Sequence, residues 1–253
     1  NDLSISNYLN ENNIITLTRL IEKEVKKQYN TDKIISFAYE ELENVEEVSQ
    51  EELDQDWITR FFSISESITS EELQLLWGKL LAGEIENPNT YSMRTLELLK
   101  NMNKHEAELF SKIAKYAISI ADNTFVYGDR KSLEKNYKIN FSDILYLAEI
   151  GLMNSQNLSY TIYKNDEISR LKIRYADKYI EYIRQPSPEK MLPIFIFTKI
   201  GIELLNFVSK EFDIDYLRDF SCKLKGDNDT ITYFNIIKSS RNSFEFDKNG
   251  FEL

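Results

Sequence analysis

The most numerous side chains in this sequence that could take part in catalysis or metal binding are the carboxylates of Asp and Glu. Pairs of aspartate or glutamate can bind Mg²⁺ or act as a general acid and a general base. They are densest ahead of Trp57, in a segment with few apolar residues. The dense group includes Glu40, Glu41, Glu46, Glu47, Glu51, Glu52, Asp54 and Asp56. Because an acidic run without apolar anchors is typical of a solvated face, we expect a surface here rather than a metal site.

Histidine, cysteine and glycine are too scarce for the common catalytic centres. His105 is the only histidine and Cys222 the only cysteine, so neither a zinc ligand set nor a histidine-based triad is expected. The chain has 7 glycines and contains neither GxxxxGK[ST] nor GxGxxG, which argues against a phosphate-cradling loop. We therefore predict no cofactor, no metal and no reaction centre.

Charge and hydropathy limit the partners and the location. The formal net charge is −11, and the acids concentrated between Glu40 and Glu72 would repel nucleic acid there. No apolar run is long enough to span a bilayer, and no charged and then apolar leader follows Asn1, so no signal peptide is expected. A single cysteine cannot form an internal disulfide, which favours a cytoplasmic location.

Helical periodicity dominates the first half, which predicts a helical domain over residues 1–122. Residues 12–29 are amphipathic, and their apolar stripe would pack against the chain's own bundle or against a second copy. A second helical piece is expected over residues 34–42. The spacings Thr69–Glu72 and Asn103–Glu106 predict capping boxes, the second opening a helix that runs through Ile120.

Strand-like alternation begins in the second half. Residues 158–164 and 171–175 are predicted as a β-hairpin, followed by strands over 179–183 and 192–197. With a preceding short helix and a closing helix capped by Thr198, they predict a winged-helix-like module over residues 123–238, and residues 239–253 are a tail. The predicted class is α+β, mainly α: an N-terminal helical bundle followed by a winged-helix-like module with a small antiparallel sheet.

The helix of this module that would read DNA covers residues 143–150. It carries two acids and neither Lys nor Arg, whereas groove binding needs donors for phosphates and base edges. Arg170, Lys172 and Arg174 alternate along one predicted strand face, which is also the usual pattern of a solvated sheet. Nucleic acid is therefore not the partner that the sequence favours.

Residues 56–110 carry a family resemblance. Read as DWITRFF, LLWGKLLAGEIENPNTYSMRTLELLKNM and HEAELF, they are similar to a bacterial family of unknown function, DUF2806, and ILYLAEIGLM and FTKIGIELL extend the likeness over about residues 57–208. The family resembles abortive-infection alpha proteins in style, which implies a role in defence against phage. The positions that match its pattern are Trp57, Arg60, Trp77, Gly83, Glu84, Pro88, Ser92, Arg94, Thr95 and Glu97.

Several of these positions are candidate binding residues with a structural alternative. Glu84 and Arg94 flank the Pro88 turn and could pair to fix a helical hairpin, or Arg94 could receive a phosphate or carboxylate from a ligand or partner. Trp57 and Trp77 are core residues or recognition residues. Arg60 is a further candidate for binding. Tyrosines tolerate solvent while offering a large contact area, and those proposed to contact a partner are Tyr160, Tyr163, Tyr175, Tyr179 and Tyr182.

The predicted function is a non-enzymatic interaction or sensor protein of a bacterial or prophage anti-phage locus. It would act by binding a protein partner or by self-association. Two alternatives remain open: a winged-helix regulator that binds nucleic acid, and a metal-dependent hydrolase or nuclease that gathers carboxylates from distant segments.

Overall fold

The protein is described by a computed structural model covering residues 11–43, 45, 48–209, 211–239 and 244–253. It divides into two compact units, Asn1–Asn101 and Met102–Leu253. The first contains helices only in its described part, and the second is built on a sheet. The sequence placed the boundary after residue 122, because residues 103–120 were predicted as one more helix of the bundle.

The described residues of the first unit form four helices. They are α1 (Glu11–Leu42), α2 (Gln55–Ser65), α3 (Glu71–Glu86) and α4 (Met93–Asn101). The two helical pieces predicted over 12–29 and 34–42 are thus one continuous helix. Asp54 is the N-cap of α2, where its carboxylate accepts a hydrogen bond from the Trp57 N–H at 2.9 Å. The predicted Thr69–Glu72 capping box is wrong, because α3 starts one residue later with Ser70 as its N-cap.

Helices α1 and α3 make the closest contact of this unit, at a glycine. A Cβ added to Gly78 would lie 2.5 Å from Phe37 Cβ and 3.0 Å from the Ala38 backbone nitrogen, so only glycine allows this approach. Ile34 and Trp77 are buried beside it. The C-terminal third of α1 is therefore fixed to the core by its own side chains.

The second unit alternates helices and strands. Its helices are α5 (Lys104–Ala114), α6 (Arg130–Tyr137), α7 (Phe141–Glu149), α8 (Lys199–Leu204) and α9 (Ile214–Leu224). Its strands are β1 (Ala117–Ile120), β2 (Asn123–Tyr127), β3 (Leu158–Ile162), β4 (Ser169–Tyr175), β5 (Lys178–Arg184), β6 (Lys190–Ile196), β7 (Thr230–Ser239), β8 (Phe244–Phe246) and β9 (Phe251–Glu252). The Asn103–Glu106 capping box is confirmed at the start of α5, and so is the Thr198 cap of α8. The predicted helix through Ile120 is wrong beyond Ala114, where the chain turns into β1.

These strands form one antiparallel sheet in the order β3-β6-β2-β1-β4-β5-β7-β8. Strand β9 also pairs with β7, at Tyr233, on the side away from β5. The α+β class is confirmed, although the sheet is larger than predicted. The predicted hairpin of 158–164 with 171–175 is wrong, because β3 pairs with β6 and β4 pairs with β5 across the turn at Ala176. Alternation identifies a strand but not its neighbour.

Helix α9 covers one face of the sheet through a cluster of aromatic rings. Tyr216 is fully buried, its ring lies 5.4 Å from that of Tyr175 and 5.0 Å from that of Tyr137, and its hydroxyl accepts the Tyr127 N–H at 2.7 Å. Burial raises the pKa of Tyr216 well above its usual value. The cluster is therefore a neutral, packed core at any physiological pH.

Candidate functional site

Both tryptophans lie in the core of the first unit. Trp57 is 4% exposed and its ring stacks on Phe61 at 5.2 Å, while Trp77 is 1% exposed and lies 5.3 Å from the same phenylalanine. The three rings join α2 to α3. At these exposures neither indole offers a surface to a partner, so both residues follow the structural alternative.

Arg60 also has an internal partner. Its guanidinium forms an ion pair with Glu97 and thereby links α2 to α4. Both side chains are nearly half exposed, at 44% and 40%, and pairs of this kind contribute about 1 kcal/mol or less. Arg60 therefore orients two helices without contributing much to stability.

Glu84 is the most buried carboxylate of the family pattern, at 2% exposure. Its Oε1 accepts the Asn89 N–H at 2.7 Å and its Oε2 accepts the Tyr91 N–H at 2.8 Å. Asn89 has a φ of 67°, so the loop between α3 and α4 contains a residue in the left-handed region. Glu84 thus fixes this loop by binding its backbone amides.

The predicted Glu84–Arg94 pair is not formed, which corrects the sequence interpretation. Arg94 is exposed, and among the described ion pairs none joins it to Glu84. The backbone amides occupy both carboxylate oxygens because the α3–α4 connection is short and needs acceptors of its own. The remaining role predicted for Arg94, reception of an anion from a ligand or partner, stays a prediction.

The five tyrosines that were predicted to bind a partner divide by exposure. Tyr163 is 73% exposed and remains a surface candidate. Tyr160 is half-buried against Phe125, with ring centroids 5.1 Å apart. Tyr175, Tyr179 and Tyr182 are buried. Because their side chains are buried, the last three offer no surface to a partner in this fold.

Among the described helices and strands, α1 carries the most large apolar side chains that are exposed. Six of them are Ile14, Leu17, Ile21, Val25, Ile35 and Tyr39, each between 43% and 68% exposed, and we call this set the α1 stripe. At 100° per residue these side chains fall within a sector of roughly 80° and extend over about 38 Å of helix. Ile35 and Tyr39 were missed in the sequence because the amphipathic helix was predicted to end at residue 29.

The α1 stripe does not face the core of its own unit. The buried residues of α1 are Asn30, Ile34 and Ala38, which lie roughly 140° around the helix axis from the middle of the stripe. From residue 13 to Tyr29 every side chain of α1 is exposed except that of Lys27, which is half-buried beside Glu66 at 3.3 Å. The helix therefore presents two apolar faces, of which only the shorter is covered.

A buried carboxylate in the second unit has a complete set of partners. Asp229 accepts the Tyr182 hydroxyl and the N–H groups of Gln185 and Gly226, all at 2.7 Å, and lies 3.6 Å from Lys190 Nζ. Burial alone would raise the pKa of Asp229, but these hydrogen bonds and the lysine charge outweigh it, so that its pKa is lowered. A fully bonded carboxylate of this kind fixes a loop and is not poised as an acid or a base.

Neither a metal-ligand cluster nor a membrane-spanning helix occurs in the described part of the chain. Within it, no three His, Cys, Asp or Glu residues come together as ligands; Glu46 and Glu47 of the acidic segment lie outside it. His105 is exposed near Tyr146, and Cys222 is exposed. None of the described helices has the length and hydropathy needed to cross a bilayer.

These features define an α+β protein of two compact units, one helical in its described part and one built on an antiparallel sheet. A family model described as Protein of unknown function (DUF2806) matches residues 16–221, and the chain belongs to that family. The match begins inside α1, ahead of the range 57–208 expected from the sequence, so most of the α1 stripe lies within it. Neither a curated protein nor a solved structure matches this chain.

Proposed function

We propose that this protein is a non-enzymatic interaction or sensor component, and that it works by pairing the α1 stripe with a second copy of itself. The observation that carries this proposal is the exposed apolar face of α1, opposite the face that contacts α3. Exposed apolar sets of this size on soluble proteins usually mark interaction surfaces.

Helix energetics supports a partner for this segment. Most helical stability in proteins comes from tertiary packing of an amphipathic face rather than from intrinsic helix propensity. The part of α1 ahead of Asn30 has almost no packing of its own. Pairing with another helix would supply it.

The area is sufficient for a symmetric dimer. With the exposures given above, the six stripe residues present on the order of 600 Å² per chain, hence roughly 1,200 Å² for a pair, the lower bound of specific interfaces. The same patch on both copies satisfies the self-complementarity of a two-fold interface. The buried face of α1 points away from the stripe, so the first unit of each copy would not obstruct the pairing.

The test is the oligomeric state across concentration. We expect sedimentation velocity to show self-association of the wild type between about 1 and 100 µM, and Val25→Glu to abolish it because the pair would bury an unpaired charge. Arg19→Glu, which places the same acid on the opposite side of the helix, is the matched control and should still associate. A wild type that stays monomeric, or equal loss in both variants, would refute pairing through the stripe.

A cross-linking experiment checks the same geometry independently. In a Cys222→Ser background, Val25→Cys should form an intermolecular disulfide under mild oxidation, whereas Arg19→Cys should not. Equal cross-linking of the two would show collision rather than a defined interface.

The cellular setting of the proposal is cytoplasmic anti-phage defence by abortive infection. We base this setting on the resemblance to abortive-infection alpha proteins that the sequence suggests, together with a composition that has only one cysteine. Plating of phage on cells that express the wild type or Val25→Glu tests it. Equal plating efficiency on wild-type and empty-vector cells would contradict this setting.

A nucleic-acid-binding regulator is the second candidate, favoured by one observation. Arg170, Lys172 and Arg174 share a face of β4, as strand register requires, and Arg170 lies 3.5 Å from Glu181. Under this candidate function, residues 123–238 would act as a winged-helix-like module that binds nucleic acid. This candidate predicts salt-dependent binding of an oligonucleotide that is weakened by Lys172→Gln.

A further inference from the structure

A small cavity opens in the second unit beside strands β1, β2 and β4. Its volume is about 190 Å³, and its polar lining consists of Lys115, Ser119, Thr124, Arg174, Asn206 and Ser209. We call it the Arg174 pocket. It is unrelated to the α1 stripe, so what it binds is a separate question from how α1 pairs.

Strand register places three polar side chains of the pocket in one row. Ser119 of β1 is paired with Thr124 of β2 on one side and with Arg174 of β4 on the other. Directly opposite residues of antiparallel strands project from the same face with Cβ atoms about 5 Å apart. The Ser119 and Thr124 hydroxyls lie 2.9 Å apart, and Thr124 is 8% exposed. A hydroxyl pair and a guanidinium therefore form one wall.

The second cation comes from the end of α5. Lys115 follows Ala114, the last residue of that helix, and its Nζ lies 3.8 Å from Glu211, whose side chain is 68% exposed. The Lys115 side chain is 30% exposed and its Nζ also lies 5.1 Å from the Tyr116 ring centroid. An ion pair with a mostly exposed acid at this distance is weak. Arg174 has another interaction partner, but a guanidinium carries five N–H donors and can bind a ligand as well. Two cations at one cavity in a chain of net charge −11 favour an anion between them.

The remaining lining sets the size of the ligand. Ala117 and Ala176 leave the space open, and Ile202 and Leu205 form an apolar side. Pockets for drug-sized ligands measure about 300–1,000 Å³, so a cavity of about 190 Å³ takes a smaller molecule. Planar guanidinium donors match the oxygens of a phosphate, and the hydroxyl pair leaves one further O–H donor.

We infer that the Arg174 pocket binds the phosphate group of a small molecule, with Arg174 donating two hydrogen bonds, Lys115 supplying a second charge and one hydroxyl of the Ser119–Thr124 pair, whichever does not donate to the other, donating from the sheet. The apolar side contacts the substituent that the phosphate carries. Arg170 and Lys172 lie on the same face of β4 but do not line the cavity, so they are matched controls for charge.

Calorimetric titration with inorganic phosphate at constant ionic strength tests this inference. The wild type should show saturable binding that acetate at the same concentration does not reproduce. Arg174→Gln should weaken binding about tenfold or more, since a bidentate charge-assisted contact is worth at least the free energy of one decade. Lys172→Gln should stay within about twofold. Circular dichroism verifies folding of each variant, and Ser119→Ala, a smaller change, should also weaken binding if Arg174→Gln fails to fold.

Several results would overturn the inference. Absence of saturable phosphate binding by the wild type is one, and equal weakening by Arg174→Gln and Lys172→Gln is another, because it would indicate general screening by the basic strand. A thymidine 12-mer serves as the nucleic-acid arm. If the wild type binds the oligonucleotide but not phosphate, and both Arg174→Gln and Lys172→Gln weaken that binding, the basic face of β4 is a nucleic-acid surface and not a small-molecule site.

Discussion

Removal of the Glu84 carboxylate should strongly destabilise the first unit. Glu84→Ala leaves the N–H groups of Asn89 and Tyr91 without their acceptors in a loop where Tyr91 is 5% exposed. Glu84→Gln retains one acceptor oxygen but turns an NH₂ group toward the other amide. The expected order of stability is therefore wild type, Gln variant, Ala variant.

The magnitude follows from the two hydrogen bonds. A hydrogen bond to a charged group contributes about 1.5–3 kcal/mol, and a buried donor left unpaired costs roughly 1–3 kcal/mol. We expect a loss of about 3–5 kcal/mol in the free energy of unfolding for Glu84→Ala and about 2 kcal/mol for Glu84→Gln. Loss of a single solvated acid would cost far less.

The assay is urea unfolding followed by tryptophan fluorescence. The chain has 2 tryptophans, and both Trp57 and Trp77 lie in the first unit, so the signal reports that unit alone. Glu72→Gln, an exposed acid on the same helix, is the matched control and should change stability by less than about 1 kcal/mol. If Glu84→Ala unfolds within 1 kcal/mol of the wild type, the carboxylate does not hold the loop and the reasoning fails.

Three further changes test other contacts. Gly78→Ala should cost about 1–3 kcal/mol, because the new methyl group would overlap Phe37, and a near-neutral urea midpoint would contradict the close helix contact. The pKa of Asp229 is lower in the folded state than in the unfolded chain. Its ionised form therefore stabilises the fold at pH values above the unfolded-state pKa of about 4, and this stabilisation is lost as the pH falls through the folded-state pKa. Asp229→Asn should thus lower stability at pH 7 by about 2 kcal/mol and flatten acid unfolding below about pH 4, whereas an unchanged acid profile would refute the assignment. Arg60→Ala should cost less than about 1 kcal/mol despite its ion pair with Glu97, and a larger loss would show that the pair is stronger than its exposure implies.

Much of the first unit could be predicted from local patterns. The periodicity of residues 73–81, the Pro88 stop and the buried tryptophans all follow from the 3.6-residue repeat and from side-chain size. The Glu84–Arg94 pair failed for a different reason. Opposite charges on two neighbouring helices suggest a pair, but backbone amides of a short loop compete for the same carboxylate, and this competition is visible only in three dimensions.

The second unit shows a different limit. Strands β5 and β6 could be predicted from alternation, but the partner of β3 could not, because pairing between distant strands leaves no local signal. The end of α5 was missed for the same reason, since the apolar residues of β1 continue the helical repeat until sheet pairing at Ile118 and Ile120 decides otherwise. The Arg174 pocket depends on such pairing, because its row places Arg174 of the distant strand β4 beside the local hairpin of β1 and β2.

The pairing of β7 has a consequence for solubility. A ten-residue strand rich in Ile, Phe and Tyr is a template for addition of another chain when its outer N–H and C=O groups are bare. Strands β8 and β9 pair with part of this outer edge of β7, at Ile236 and Tyr233 respectively. They protect this edge of the sheet from the addition of strands from other molecules. Their removal would expose an aggregation-prone edge on a protein whose net charge is otherwise strongly negative.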